Sequence, residues 1–107
     1  MKRTVRLAAD YECHPVWIIA AREVDNVAPY PLPITSQLAE DLDRWSDEYE
    51  ATYNRDDPAA SGFTSKEAEQ SFAERGLRLA HRLRDELDET WHVSYFDPST
   101  ASDVEIE

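Results

Sequence analysis

Two stretches of this chain carry apolar side chains at helical spacing, and they are separated by a loop rich in turn formers. Leu38, Leu42, Trp45, Tyr49 and Tyr53 recur at steps of four, three, four and four. On a helix that spacing makes one apolar arc of about 100°. Ala68, Phe72, Gly76, Leu79, Leu83 and Leu87 make a second stripe. Thr35 or Ser36 is the expected cap of the first helix, which should reach about Asn54. Thr64-Ser65-Lys66-Glu67 reads as a capping box with Thr64 as cap. Arg75, Arg78 and Arg82 flank the second stripe, late in that helix, where the dipole favours cations. Two stripes of this kind must bury themselves on a common layer, which predicts a helical hairpin. A glycine inside a helix costs ~1 kcal/mol relative to alanine. Gly76 is therefore expected to permit close approach near Trp45 or Trp17.

The layer beneath is expected to be a small sheet. Residues 4–11 alternate, with Val5, Leu7, Ala9 and Tyr11 on one side. Residues 16–21 are β-branched and aromatic, and residues 91–96 place Trp91, Val93 and Tyr95 on one face. Pro29, Pro31 and Pro33 exclude helix from 22–34 and favour an extended connector. The resulting expectation is an α+β fold of order ββααβ. In it a three-stranded antiparallel sheet, with its second strand central, carries the helical hairpin on one face. Residues 1–98 form a single domain in this reading, and 99–107 an acidic, frayed tail.

The second strand is apolar on both faces, so its far face needs a cover or a partner. That face is expected to show Val16, Ile18, Ala8 and Phe96, with His92 and Ser94. Such a patch suits a twofold homodimer. The alternative cover is the Pro-rich connector, through Val27, Tyr30, Leu32 and Ile34.

Charge sets what this chain can meet. Its 107 residues include 23 acids and 11 bases, for a formal net charge of −12. Residues 35–57 hold eight of the acids and two of the bases, and 91–107 hold four acids and no base. Such a field repels nucleic acid and anionic lipid and draws in a basic partner. No run approaches the ~20 apolar residues of a membrane span. The first residues lack the apolar core of a secretory signal, and the lone Cys13 offers no internal disulfide. A cytoplasmic protein is expected.

Catalytic, cofactor and metal signatures are not found. Cys13-His14 is a candidate pair, but neighbours in a strand connection diverge, and zinc needs about four ligands. With Gly62 and Gly76 as its only glycines, the chain cannot build a glycine-rich phosphate loop. The candidate partner-binding residues are the acidic stripe Glu40, Asp43, Asp47 and Glu50, interrupted by Arg44. To these are added Asp56 and Asp57 in the Asn54–Phe63 loop, and Val16, Ile18 and Phe96 on the sheet. In the loop, Asn54 is a candidate helix cap, Asp56 or Asp57 can close an Asx-turn, and Gly62 suits positive φ.

Trp45-x-Asp47-x-Tyr49, then Asn54-x-x-Asp57-Pro58-x-x-Ser61-Gly62-Phe63, then Phe72, Gly76 and Leu79 resemble a group of small acidic proteins common in actinobacteria. The resemblance runs from the first strand to about Phe96 and implies a stand-alone domain with no catalytic residue to carry over. Immunity proteins that neutralise bacterial toxins are similar in size, acidity and architecture. The leading expectation is a non-catalytic protein-binding module, an immunity-type inhibitor of a basic toxin. Against it stand a small-ligand binder or enzyme using Tyr30, Trp17 and His92 between connector and sheet, and a homodimeric accessory protein.

Overall fold

The computed structural model describes residues 3–107. β1 (Arg3–Leu7) pairs antiparallel with β2 (Val16–Ala20), Leu7 opposite Val16 and Val5 opposite Ile18. β2 turns at once into β3 (Glu23–Val27), which pairs along its other edge. The hairpin of α1 (Ser36–Glu50) and α2 (Lys66–Glu86) follows. α2 returns the chain to the free edge of β1, so β4 (Trp91–Asp97) runs parallel to β1, Val5 opposite Val93. β5 (Ser102–Ile106) closes the sheet antiparallel to β4.

The expected three-stranded antiparallel ββααβ sheet is therefore corrected to a five-stranded mixed sheet of order β3-β2-β1-β4-β5. β1, not β2, is the middle strand. The added strands come from the start of the expected connector and from the expected frayed tail. Both enter through short turns in which Ala21 and Ala101 have φ of +53°. Such turns ordinarily announce themselves by Asn or Gly, and neither is present. The parallel pairing is possible because the long connection through β2, β3, α1 and α2 brings the chain back to the same end of the sheet before β4 begins.

The β2 register corrects the expected face of two residues. Val16 and Ile18 stand beside Val5 and Leu7, on the helix side, and Val16 is fully buried. Trp17 and Ile19 take the far side. The side-chain period of a strand is two, so a one-residue slip in register exchanges its faces. The core joins Val5, Leu7, Val16, Val93 and Tyr95 of the sheet to Leu38, Leu42, Trp45, Phe72 and Leu83 of the helices. The Pro-rich connector also lies on the helix side. Pro29 and Leu32 are buried, and the Thr35 backbone N–H donates to Glu86 Oε1 at 2.6 Å. Among the described residues no layer covers the far face, and there Arg6 lies over Phe96 and donates to Asp103.

Local chemistry sets the helix ends. Thr35 Oγ1 accepts from the Leu38 N–H and starts α1. Ser65, rather than the expected Thr64, caps α2, its Oγ accepting from the Ala68 N–H at 3.1 Å. α1 ends at Glu50, short of the expected Asn54. At position 76 the missing side chain matters. A Cβ there would lie 2.5 Å from Trp45 Cζ2 and closer still to Tyr95 Oη. Trp45 is the expected neighbour; the other is Tyr95 of β4 rather than Trp17.

Candidate functional site

In the acidic stripe Glu40, Asp43 and Glu50 lie outside the groove between α1 and α2, while Asp47 reaches its edge. Tyr30, on the turn closed by Leu32 N–H to Pro29 C=O, reaches it and is 58% exposed. The Asp43 carboxylate acting on its hydroxyl, then slight desolvation and the charges of Asp43, Glu40 and Asp47, hold the phenol above its ordinary pKa of 10. Further along, Glu50 Oε2 accepts the Glu12 backbone N–H at 2.9 Å. Tyr11 stacks between Tyr49 and Tyr53, with ring centroids 4.6 and 4.8 Å away, and holds the β1–β2 connection against the end of α1. Asp10, Glu12 and Glu50 so gather around Cys13. Burial first, then these three charges, raise its thiol pKa. A thiol held protonated is a poor nucleophile. His14 uses its backbone to bind Asn26, donating N–H to Oδ1 and accepting from Nδ2.

The loop after α1 is tied to itself. Asn54 Oδ1 accepts from the backbone N–H groups of Asp56 and Asp57 at 3.1 and 3.0 Å. Asn54 thus closes the turn expected of the aspartates. Asn54 N–H donates to Ser61 Oγ, and Gly62, at φ +126°, donates its N–H to Thr52 C=O. Both aspartate side chains remain exposed.

The nine candidate residues therefore fall in separate places. Glu40, Asp43, Asp47 and Glu50 form one flank, and Asp56 and Asp57 extend beyond its end. Phe96 stands on the far face of the sheet, and Val16 and Ile18 belong to the interior face. Among the described residues Asp43, Asp47, Asp56 and Asp57 have no basic partner. Tyr30, Trp17 and His92 are not brought together. The space between connector and sheet, about 230 Å³, is lined by Arg3, Ile18, Val27, Leu32 and Trp91 with two prolines.

Sequence reasoning missed the opposite side of α1. There α2 and α1 exchange ion pairs, Arg82 to Asp41 at 2.7 Å and Arg75 to Glu48 at 2.5 Å. The readable signal was the matching helical spacing of Arg75 and Arg82 with Asp41 and Glu48. The Arg82 hydrogen bond lowers the Asp41 pKa against a desolvation penalty, helped by Gln37 and by the charges of Arg82 and Arg44. A carboxylate lowered in the folded state contributes stability that is complete above its unfolded pKa of about 3.8 and is lost as pH falls through the lowered value. Asp41→Asn is therefore expected to lower the stability at pH 7. The gap to the native protein should narrow below about pH 4 and close in stronger acid. Urea denaturation across pH 2.5 to 7 checks this as a difference, because protonation elsewhere relieves the −12 charge in both proteins. A gap that stays constant with pH would count against it.

These features define a small, acidic α+β protein, a mixed sheet backed by a helical hairpin whose first helix carries a row of exposed and half-buried carboxylates. The family model described as Serratia CdiI immunity protein-like matches residues 3–98, and the chain belongs to that family. The family carries the likeness to immunity proteins beyond size and charge. No curated protein matches the chain. No described helix is long and apolar enough to cross a membrane.

Proposed function

We propose that this protein is an immunity-type inhibitor that neutralises a basic toxin in the cytoplasm by binding it through the acidic flank of α1. The carrying observation is that Asp43 and Asp47, beside the exposed Tyr30, form no ion pair among the described residues. Carboxylates left unpaired on a rigid helix keep their whole field for a partner, which raises the rate of encounter and selects its sign. Family membership supports the same reading. The inhibitor contributes surface rather than chemistry: it occludes the toxin and takes no part in a reaction.

The test takes as its partner a toxin domain recovered by affinity capture with this protein. Binding is expected to weaken with added salt, through screening of exposed charge. The triple variant Glu40→Lys, Asp43→Lys, Asp47→Lys is expected to weaken it by about 100-fold, mainly through slower association, while melting near the native temperature. Titration calorimetry and association kinetics at two salt concentrations measure both. A variant that binds and protects growing cells as the native protein does would end this reading.

A further inference from the structure

The groove between α1 and α2 is a charge ladder with its middle rung inverted. Arg75, Arg78 and Arg82 follow one another at steps of three and four and so form one row on α2. The outer two cross the groove to carboxylates of α1, Arg75 to Glu48 and Arg82 to Asp41. Between Asp41 and Glu48, where a third carboxylate would complete the ladder, α1 carries Arg44. That side chain is 73% exposed, and the nearest carboxylates, Glu40 and Asp41 of its own helix, stand 3.9 Å away. Arg78 has no carboxylate partner among the described residues. Both arginines, with Asp47 at the edge, line a groove of about 810 Å³ whose floor is Trp45, Leu79 and Ala51.

Two cations thus flank an apolar floor, in a chain with twice as many acids as bases. Four arginines line the groove against three carboxylates, Asp41, Asp47 and Glu48, so one positive charge is left in excess. We infer that this groove receives a carboxylate side chain of a protein partner between Arg44 and Arg78, with an apolar neighbour of that residue resting on Trp45 and Leu79. Guanidinium groups suit the task, since their planar fork matches a carboxylate and they tolerate loss of water better than an ammonium. The site adds to the acidic flank a contact of opposite sign that adjoins it at Asp47. It rests on the immunity reading only for the identity of the partner.

The experiment therefore uses simple probes. The ¹⁵N-labelled protein is titrated with the capped peptides acetyl-Leu-Glu-Asp-Leu-amide and acetyl-Leu-Gln-Asn-Leu-amide, and separately with inorganic phosphate. The acidic peptide is expected to shift the Nε–H signals of Arg44 and Arg78 and the Ala51 amide saturably, about tenfold more tightly than the neutral one. Arg44→Gln and Arg78→Gln, both at exposed positions, should each remove that preference while the rest of the spectrum stays native. Absence of these shifts, equal response to the neutral peptide, or an equal response to phosphate would each overturn the inference. None of those outcomes touches the α1 flank reversal, so the immunity reading would stand or fall separately.

Discussion

Gly76→Ala is expected to destabilise the protein by about 2–4 kcal/mol, although the same change at an exposed helix position gains about 1 kcal/mol. The added carbon has nowhere to go. It would lie 2.5 Å from Trp45 Cζ2, on one side, and against the Tyr95 hydroxyl on the other. Trp45 cannot yield easily, because its indole N–H donates to Phe72 C=O at 3.0 Å and its ring is stacked on Phe72. Tyr95 cannot either, because its buried hydroxyl donates to Ala73 C=O at 2.8 Å. Displacing it leaves a buried polar group unpaired, at about 1–3 kcal/mol. Each kcal/mol lowers the melting temperature of a chain this long by about 4 °C, so a fall of about 8–16 °C is expected. Gly76→Leu should not fold cooperatively at all. The cause is separable: in a Tyr95→Phe background, which removes the nearest atom, Gly76→Ala should cost measurably less than in the native protein. Additive effects, or an unchanged melting temperature, would rule out the close approach.

Phe72→Ala is expected to cost about 3–5 kcal/mol, the usual range for truncating a buried phenylalanine. Phe72 is fully buried at the centre of an aromatic cluster. Its ring is parallel to Trp45 at 4.4 Å and lies 5.0 Å from Phe63 and 5.7 Å from Tyr49. The hydrogen bond from Trp45 ends on the Phe72 backbone, so it survives the substitution. The loss therefore reports packing and the cavity left behind, not polar disruption. Phe72→Leu keeps most of the volume and should cost less than half as much. Urea denaturation gives both values, and the near-ultraviolet circular dichroism of Trp45 should weaken in the alanine variant. A cost below about 1 kcal/mol would mean that the hairpin does not close on this cluster.

Legibility from sequence divides along identifiable lines. The stripes Leu38–Leu42–Trp45 and Phe72–Gly76–Leu79–Leu83 are buried as their spacing implies. Gly76 carried its own message, since a glycine in an apolar stripe must be explained by a neighbour. Glu40, Asp43 and Asp47 do share one side of α1, with Glu40 and Asp47 exposed and Asp43 half-buried, because helical geometry places them there whatever the fold. Tyr30 could not be joined to them, as the course of the connector was not readable. β3 and β5 escaped notice because Ala21 and Ala101 occupy turn positions where the usual residues are absent. The groove was half visible: the arginine row could be read, but not the carboxylates across from it.

What the sequence by itself determined is local: the two helices, their buried sides, the acidic side of the first and the special place of Gly76. Each follows from side chains a few residues apart on one element, where bond geometry alone decides who faces whom. Only the tertiary structure decided that β1 lies between β2 and β4, that Val16 and Ile18 turn inward, and that Arg44 and Arg78 share one groove. Those outcomes depend on register and crossover between distant segments, and a shift of one residue in either reverses them without altering any local pattern.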